Sequence, residues 1–516
     1  MRALLMHRDR DFDLKQGWAW GETALMQDLE LDTLLDAMAA GDEFLLDVAW
    51  KALLSGLRND MDTIVYRQAI VKDCLKNPAL IRQLYALTVT MIDRAKKEWW
   101  GISSHYPSSM LYSSLDLLGA SLGVLKKLRA IAEDVAGQFE SEGFITLFAT
   151  LRNELGDEYL ARIQEHLKEL RFRRGALLSA ELGESNEGTK YMLCQSREKE
   201  PNWLTRFLGN GPPSYAFGIA ERDETGARIL SEIRHRGISR VAIAVAESAD
   251  HVLNFFKMLR TELAFYVACL NLHDRLAAKK EPVCFPTPMP AGERRMNFSG
   301  FYDVCLSLRM KDRVVGNSAD VNGKDLIIIT GANQGGKSSF LRGVGLAQLM
   351  MQCGMFVGAE AFEAELCRAL FSHYKRGEDA TMKSGKFDEE LSRMSEIAER
   401  ITRNSTVLFN ESFAATNERE GSEIAKQIVR ALLEKGVRIF YVTHLYEFAR
   451  GFFDRAGEGA LFLRAERRAD GTRTFRLLEG EPLETGYGED LYRQIFKENE
   501  QSQGREVDGL ISANAD

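Results

Sequence analysis

Residues 331–338 read Gly-Ala-Asn-Gln-Gly-Gly-Lys-Ser; the apolar run Leu326 to Thr330 (LIIIT) leads directly into them, and an amphipathic helical pattern begins at Lys337. A G-x-x-x-x-G-K-[ST] loop between a buried strand and a helix can fold in few ways. Its glycines let backbone N–H groups curl around an anion, and the helix N-terminus adds positive dipole at the same point. Gly331, Asn333, Gly335, Gly336, Lys337, Ser338 and Ser339 are therefore candidate nucleotide contacts. Lys337 is expected to reach the β- and γ-phosphates, and the Ser338 hydroxyl to ligate Mg²⁺. The expected ligand is a nucleotide with Mg²⁺.

Downstream, Thr406-Val-Leu-Phe-Asn410-Glu411 is an apolar strand ending in a polar pair. A strand of this kind ordinarily ends in a carboxylate for Mg²⁺ followed by a glutamate that activates water. Asn410 stands at the first position and brings no charge, which weakens metal affinity and phosphoryl transfer, while Glu411 remains the candidate general base. The next strand, Val437 to Val442, leads into Thr443-His444. A histidine at the carboxyl end of a parallel strand is placed to sense a terminal phosphate or orient water, so His444 joins Glu411 as a candidate catalytic residue. Between these strands, Lys383-Ser384-Gly385-Lys386-Phe387 opens a helix with Leu391, Met394, Ala398 and Ile401 on one face. The turn is either a helix cap or a second phosphate site, with Ser384 and Gly385 reaching the nucleotide of a dimer partner. Asp388, Glu389 and Glu390 would repel that phosphate unless they turn away.

Alternating strands and helices after the Pro-rich stretch CFPTPMPAG near residue 285 predict a mostly parallel sheet. Before it, apolar residues recur at three- and four-residue spacing; in the stretch Phe44 to Leu57 the stripe is Leu45, Ala49, Ala52 and Leu53. A break between Ser196 and Gly237, where Gly209, Gly211, Pro212, Pro213 and Gly226 cluster, marks an irregular or partly β insertion. From Arg240 to Lys280 neither Gly nor Pro occurs. A continuous helix there would span about 60 Å, as a bundle helix or as a lever between two ends.

Composition excludes other classes. Apolar residues are 45% and charged residues 28%, as in an ordinary globular chain, and the net charge is −8. A polybasic protein is excluded, so nucleic-acid binding would come from local patches: Arg171, Arg173 and Arg174, or Arg234, Arg236 and Arg240. Each patch is equally readable as a solvated helix face. Seven scattered cysteines without a C-x-x-C pair predict core thiols in a reducing compartment. With no apolar leader after Met1 and no 18-residue apolar run, the expected localisation is cytoplasmic and no membrane is engaged.

The order of GANQGGKSS, SGKF, VLFNE, SFAATNEREG and VTHLYEF closely resembles the ATPase domain of the MutS family, the ABC-type ATPases of DNA mismatch repair. The family's usual loop is G-P-N-M-G-G-K-S-T, so Ala332 and Gln334 depart from it, as does the Ser412 to Asn417 segment where the family has G-R-G-T-S. The segment VVGN, ending at Asn317, is similar to the stretch that contacts the nucleotide base. TGYGEDLYRQIF (Thr485 to Phe496) looks like the family's Tyr-Gly helix at the dimer interface. A weaker likeness upstream covers YRQAIVKDCLKNPALIRQLYAL and the long helix. The resemblance implies a multidomain chain, mostly α in its lever and core region and then α/β in a P-loop ATPase domain. Its expected parts are an N-terminal segment at 1–35, a helical core and lever at 36–290 with a clamp-like insertion at about 170–235, the ATPase domain at 291–497 and an acidic disordered tail at 498–516.

The first 35 residues are too few for a mismatch-reading domain, and no F-x-E motif stands near the start. The resemblance thus implies a homodimeric, ATP-gated clamp on DNA that senses shape through the backbone instead of reading mismatches. The alternative is a catalytically weakened ATP-binding switch that regulates a partner, with Asn410 marking slow turnover.

Overall fold

Helical spacing before the Pro-rich stretch forms nine α-helices among the described residues, two of them capped by an aspartate side chain. A computed structural model describes residues 1–15, 21–102, 106–172, 175–184, 187–194, 215–216, 218–376, 385–455, 457, 459–468 and 471–483. The chain begins with α1 (Glu22–Asp28), α2 (Leu31–Ala39), α3 (Glu43–Gly56) and α4 (Met61–Lys76). Asp42 caps α3 by accepting from the Phe44 and Leu45 N–H groups, and Asp60 caps α4 through Thr63 N–H at 2.8 Å. The expected stripe of Leu45, Ala49, Ala52 and Leu53 is buried on α3. There follow α5 (Pro78–Ile102), α6 (Pro107–Val135), α7 (Glu142–Glu154) and α8 (Asp157–Glu169).

The insertion contains an antiparallel hairpin, β1 (Leu177–Leu182) with β2 (Gly188–Cys194). The long helix, α9 (Glu224–Ala278), runs 55 residues and starts well before Arg240. Gly237 is one reason the sequence misleads here. A Cβ on it would lie 2.4 Å from Leu178 Cδ2, so this glycine admits the hairpin against the helix instead of ending the helix. The Tyr-Gly segment and the acidic tail lie outside the described residues.

Two compact units divide the chain: Met1–Leu4 with Ala79–Leu263, and Leu5–Pro78 with Ala264–Asp516. The second unit therefore takes in α1 to α4, of which α3 and α4 fall in the stretch 36–290 expected as core and lever, and α1 in the N-terminal segment expected at 1–35. Their apolar faces are committed to the α/β part: a Cβ on Gly345 would meet both Leu29 and Leu408, and Asn59 donates to the Gln352 carbonyl.

After α9 come β3 (Thr287–Met289), β4 (Met296–Phe301), α10 (Val304–Arg309), β5 (Asn317–Asp320), β6 (Leu326–Gly331) and α11 (Lys337–Gln352). Next are β7 (Ala361–Glu365), β8 (Leu370–Tyr374), α12 (Lys386–Arg400), β9 (Thr406–Asn410) and α13 (Glu418–Glu434). The series closes with β10 (Arg438–Val442), α14 (Tyr446–Phe453), β11 (Ala460–Arg467) and β12 (Arg473–Glu479). The main sheet has the order β12-β11-β6-β10-β9-β8, parallel except at the β11–β12 edge. A smaller sheet has the order β3-β7-β4-β5.

Continuous apolar strands suit a sheet covered on both faces. Ile328, Val407, Phe409 and Tyr441 pack with Met394, Val429 and Phe448 of α12, α13 and α14 on one face. Phe409 is fully buried and its ring centroid lies 4.9 Å from that of Tyr441, so Phe409→Ala would cost about 3–5 kcal/mol. This rigid layer sets the edge where the candidate site stands, because Ile329, Val442 and Asn410 pair in register across β6, β10 and β9. Among the described residues no helix is long and apolar enough to cross a membrane.

Candidate functional site

The loop leaving β6 turns back on itself because Gly331 takes φ +107°, where a Cβ would sit 2.9 Å from the Ala465 nitrogen. Gly336, also left-handed, starts α11, whose first N–H groups lack helical partners and face the loop. Lys337 is only 5% exposed, and its Nζ donates to the Gly331 carbonyl at 2.8 Å and the Ala332 carbonyl at 2.9 Å. Burial pushes this ammonium down from 10.5 to about 8, the Arg473 charge adds to the fall, and Glu411 opposes it.

Across the edge, the Ser338 hydroxyl donates to Asn410 Oδ1 at 2.9 Å. The two sequence-expected metal ligands thus meet, as neutral oxygen donors. Glu411 follows at φ +54°, a left-handed position for a bulky residue, with its N–H bonded to the Val442 carbonyl. Its Oε1 lies 3.1 Å from His444 Nε2. That hydrogen bond holds the Glu411 carboxyl below its ordinary range and keeps it ionised at neutral pH. Glu411 and His444 are each about one-third exposed, so both remain open to a ligand or water.

Asn333, Gly335, Gly336, Lys337, Ser338, Ser339, Glu411 and Asn317 line one cavity of about 460 Å³. Asn317 arrives there by bridging strands: its Oδ1 accepts from Leu477 N–H at 2.7 Å and its Nδ2 donates to the Phe475 carbonyl. Phe475, Tyr302 and Val315 form the apolar side of the cavity. Sequence reasoning missed Phe475 and Arg473, since β12 carries no motif and reaches the loop only by antiparallel pairing with β11.

Gly385 is the N-cap of α12, and Ser384 lies outside the described residues. The acidic crowding expected at this helix start is relieved at two positions. Glu390 turns inward, 3% exposed, and accepts from Phe413 N–H at 3.0 Å, while Glu389 pairs with Arg393. Beneath them, His373 Nδ1 lies 2.7 Å from Ser412 Oγ and Nε2 lies 2.9 Å from the Glu390 carbonyl oxygen. Burial pushes His373 down to about 4, so this imidazole is neutral and braces the segment after Glu411. Nothing in a lone internal histidine on β8 marked that role beforehand.

The arginines proposed for DNA are arranged differently. Arg171 is paired with Asp116 at 2.6 Å, and Arg234 donates to the Tyr112 hydroxyl at 2.7 Å. Arg236 is exposed, and Arg173 and Arg174 lie outside the described residues.

A helical region followed by an α/β domain, with its polar side chains gathered at the carboxyl edge of a mostly parallel sheet, is the class of protein these features define. The model for the MutS2 N-terminal domain matches residues 59–279, and the model for MutS domain V matches residues 327–488. The chain belongs to the MutS family. It is 25% identical to MutS protein homolog 4 of Homo sapiens over 250 residues, 45% of this chain and 25% of that protein. It is 26% identical to the DNA mismatch repair protein MutS of Leptospira interrogans over 235 residues, 44% of this chain and 26% of that protein. Endonuclease MutS2 of Thermus thermophilus is 34% identical over 120 residues, 23% of this chain and 16% of that protein. The matched region is thus about a quarter of the length of the first two relatives.

Proposed function

We propose that this chain is an ATP-binding and DNA-binding ATPase of the DNA-repair type, in which ATP held at the β6–α11 loop gates a homodimeric clamp on DNA. The convergence of Lys337, Ser338, Asn410, Glu411 and His444 at one strand edge supports the reading. Loop N–H groups and Lys337 bind the phosphates; a nucleotide that enters must draw Lys337 Nζ away from the two loop carbonyls it now satisfies. Glu411, ionised and steered by His444, takes the proton of the attacking water. Ser338 and Asn410 are oxygen donors that fit Mg²⁺ coordinated chiefly by phosphate and water. When bound, that ion neutralises charge on the β- and γ-phosphates.

One observation favours a second reading. At Asn410 an amide oxygen accepts the Ser338 hydrogen bond where the family resemblance calls for a carboxylate; on this second reading the protein hydrolyses ATP slowly and works as an ATP-binding switch on a partner. ATP turnover of the wild type, Asn410→Asp and Glu411→Ala, with and without duplex, mismatched and branched DNA, separates the two. DNA-stimulated turnover that Glu411→Ala abolishes establishes the ATPase. A wild-type rate equal to Glu411→Ala, with a large gain in Asn410→Asp, establishes the switch. Absence of salt-sensitive binding to every DNA tested would overturn the DNA part of the proposal.

A further inference from the structure

Arg473 stands at the start of β12, on the hairpin that presses against the phosphate loop: a Cβ on Gly335 would lie 2.7 Å from Ala465 Cβ on β11. Its Nη1 donates to Gln334 Oε1 at 2.9 Å. Gln334 lies at the loop's apex with φ +58°, a conformation a glutamine seldom adopts, so the loop presents this amide to β12 at a cost in backbone strain. A guanidinium has five N–H donors, and this bond occupies one. Among the described residues no carboxylate forms an ion pair with Arg473. Two cations therefore bond to one loop, Lys337 from the start of α11 and Arg473 from β12. Glu411, which lines the same cavity as Lys337, offsets part of this positive charge, and a bound phosphate offsets more. The remaining fork of Arg473 suits paired phosphate oxygens.

We propose that Arg473 is a second phosphate-binding cation acting within the same chain, aimed by Gln334 at the outer phosphates of the bound nucleotide. The inference rests on the loop being a nucleotide site and adds a residue that the loop motif does not contain. It also accounts for Gln334, a departure from the usual loop that the general reading left unused.

Calorimetric titration of the full chain with ATP, ADP and AMP tests it. Arg473→Ala is expected to weaken ATP binding about 10- to 100-fold and AMP binding far less, with Arg473→Lys intermediate and Gln334→Met losing a smaller part. Thermal melting of each variant checks that it is folded, and Gln334→Met, which alters only the aim of the guanidinium, stands if Arg473→Ala does not fold. ATP binding within twofold of wild type in Arg473→Ala overturns the proposal, as does an equal loss for ATP and AMP, which would mean that Arg473 only braces the hairpin. If wild type binds no ATP at all, the nucleotide reading itself has failed, an outcome distinct from unchanged affinity in the variant.

Discussion

The loop after β6 and the arginines of the first unit are both basic, yet the chain treats their charges in opposite ways. Lys337 is buried, hydrogen-bonded to carbonyls of its own loop, and offset only in part by Glu411, with Arg473 acting against it. Arg171 is exposed and matched by Asp116, and Arg234 rests on Tyr112. A cation kept dry and only partly neutralised is costly unless a further anion comes to it, whereas a surface pair contributes about 0–1 kcal/mol and implies no ligand. Local charge density thus nominates the first region far more strongly than the second, although a count of basic residues ranks them the other way.

Substitutions can break this contrast. The largest effect is expected for Glu411→Ala, which should lower any ATP turnover about 10²- to 10⁴-fold with little change in ATP affinity, measured by single-turnover hydrolysis. Lys337→Ala should weaken ATP binding by about 10²-fold, since a charge-assisted contact in a dry site is lost; calorimetry reads it directly.

A third test uses pH. Burial holds the folded His373 at about 4 against an ordinary 6.5, so the unfolded chain binds this proton more readily. Its stabilisation is present above pH 6.5 and is lost as pH falls toward 4, by about 1.4 kcal/mol per pH unit. Urea unfolding at pH 7.5 and 5 should show a smaller acid loss in His373→Gln than in wild type, though the variant is less stable at neutral pH.

The smallest effects belong to the arginine patches. Arg236→Ala should reduce the salt slope of DNA binding by about one unit at most. Asp116→Asn should strengthen DNA binding modestly by releasing Arg171, and no change in either would leave both arginines as solvated surface.

Much of the site was legible because its chemistry is local. The glycine pattern, the lysine and the helix start are neighbours in sequence, and an apolar strand ending in Asn410-Glu411 or Thr443-His444 announces what stands at its carboxyl end. The strands β6, β9 and β10 were expected within one or two residues. What escaped was contributed by pairing over long separations. β12 enters the site from more than a hundred residues away, and His373 braces Ser412 across 39 residues, with no periodicity to signal either. The early start of α9 escaped because Gly237 reads as a break in isolation and becomes a packing contact only beside Leu178.

From the sequence alone, then, came the phosphate loop, the order of strands and helices after it, the missing charge at Asn410 and the family resemblance. These depend on contiguous residues and backbone preference, which act over a few positions. Only the tertiary structure decided that α1 to α4 pack with the α/β part, that Glu390 turns inward, and that Arg473 meets Gln334 of the loop. Those outcomes depend on which apolar faces and buried charges meet across the fold, and a one-dimensional pattern carries no record of that meeting.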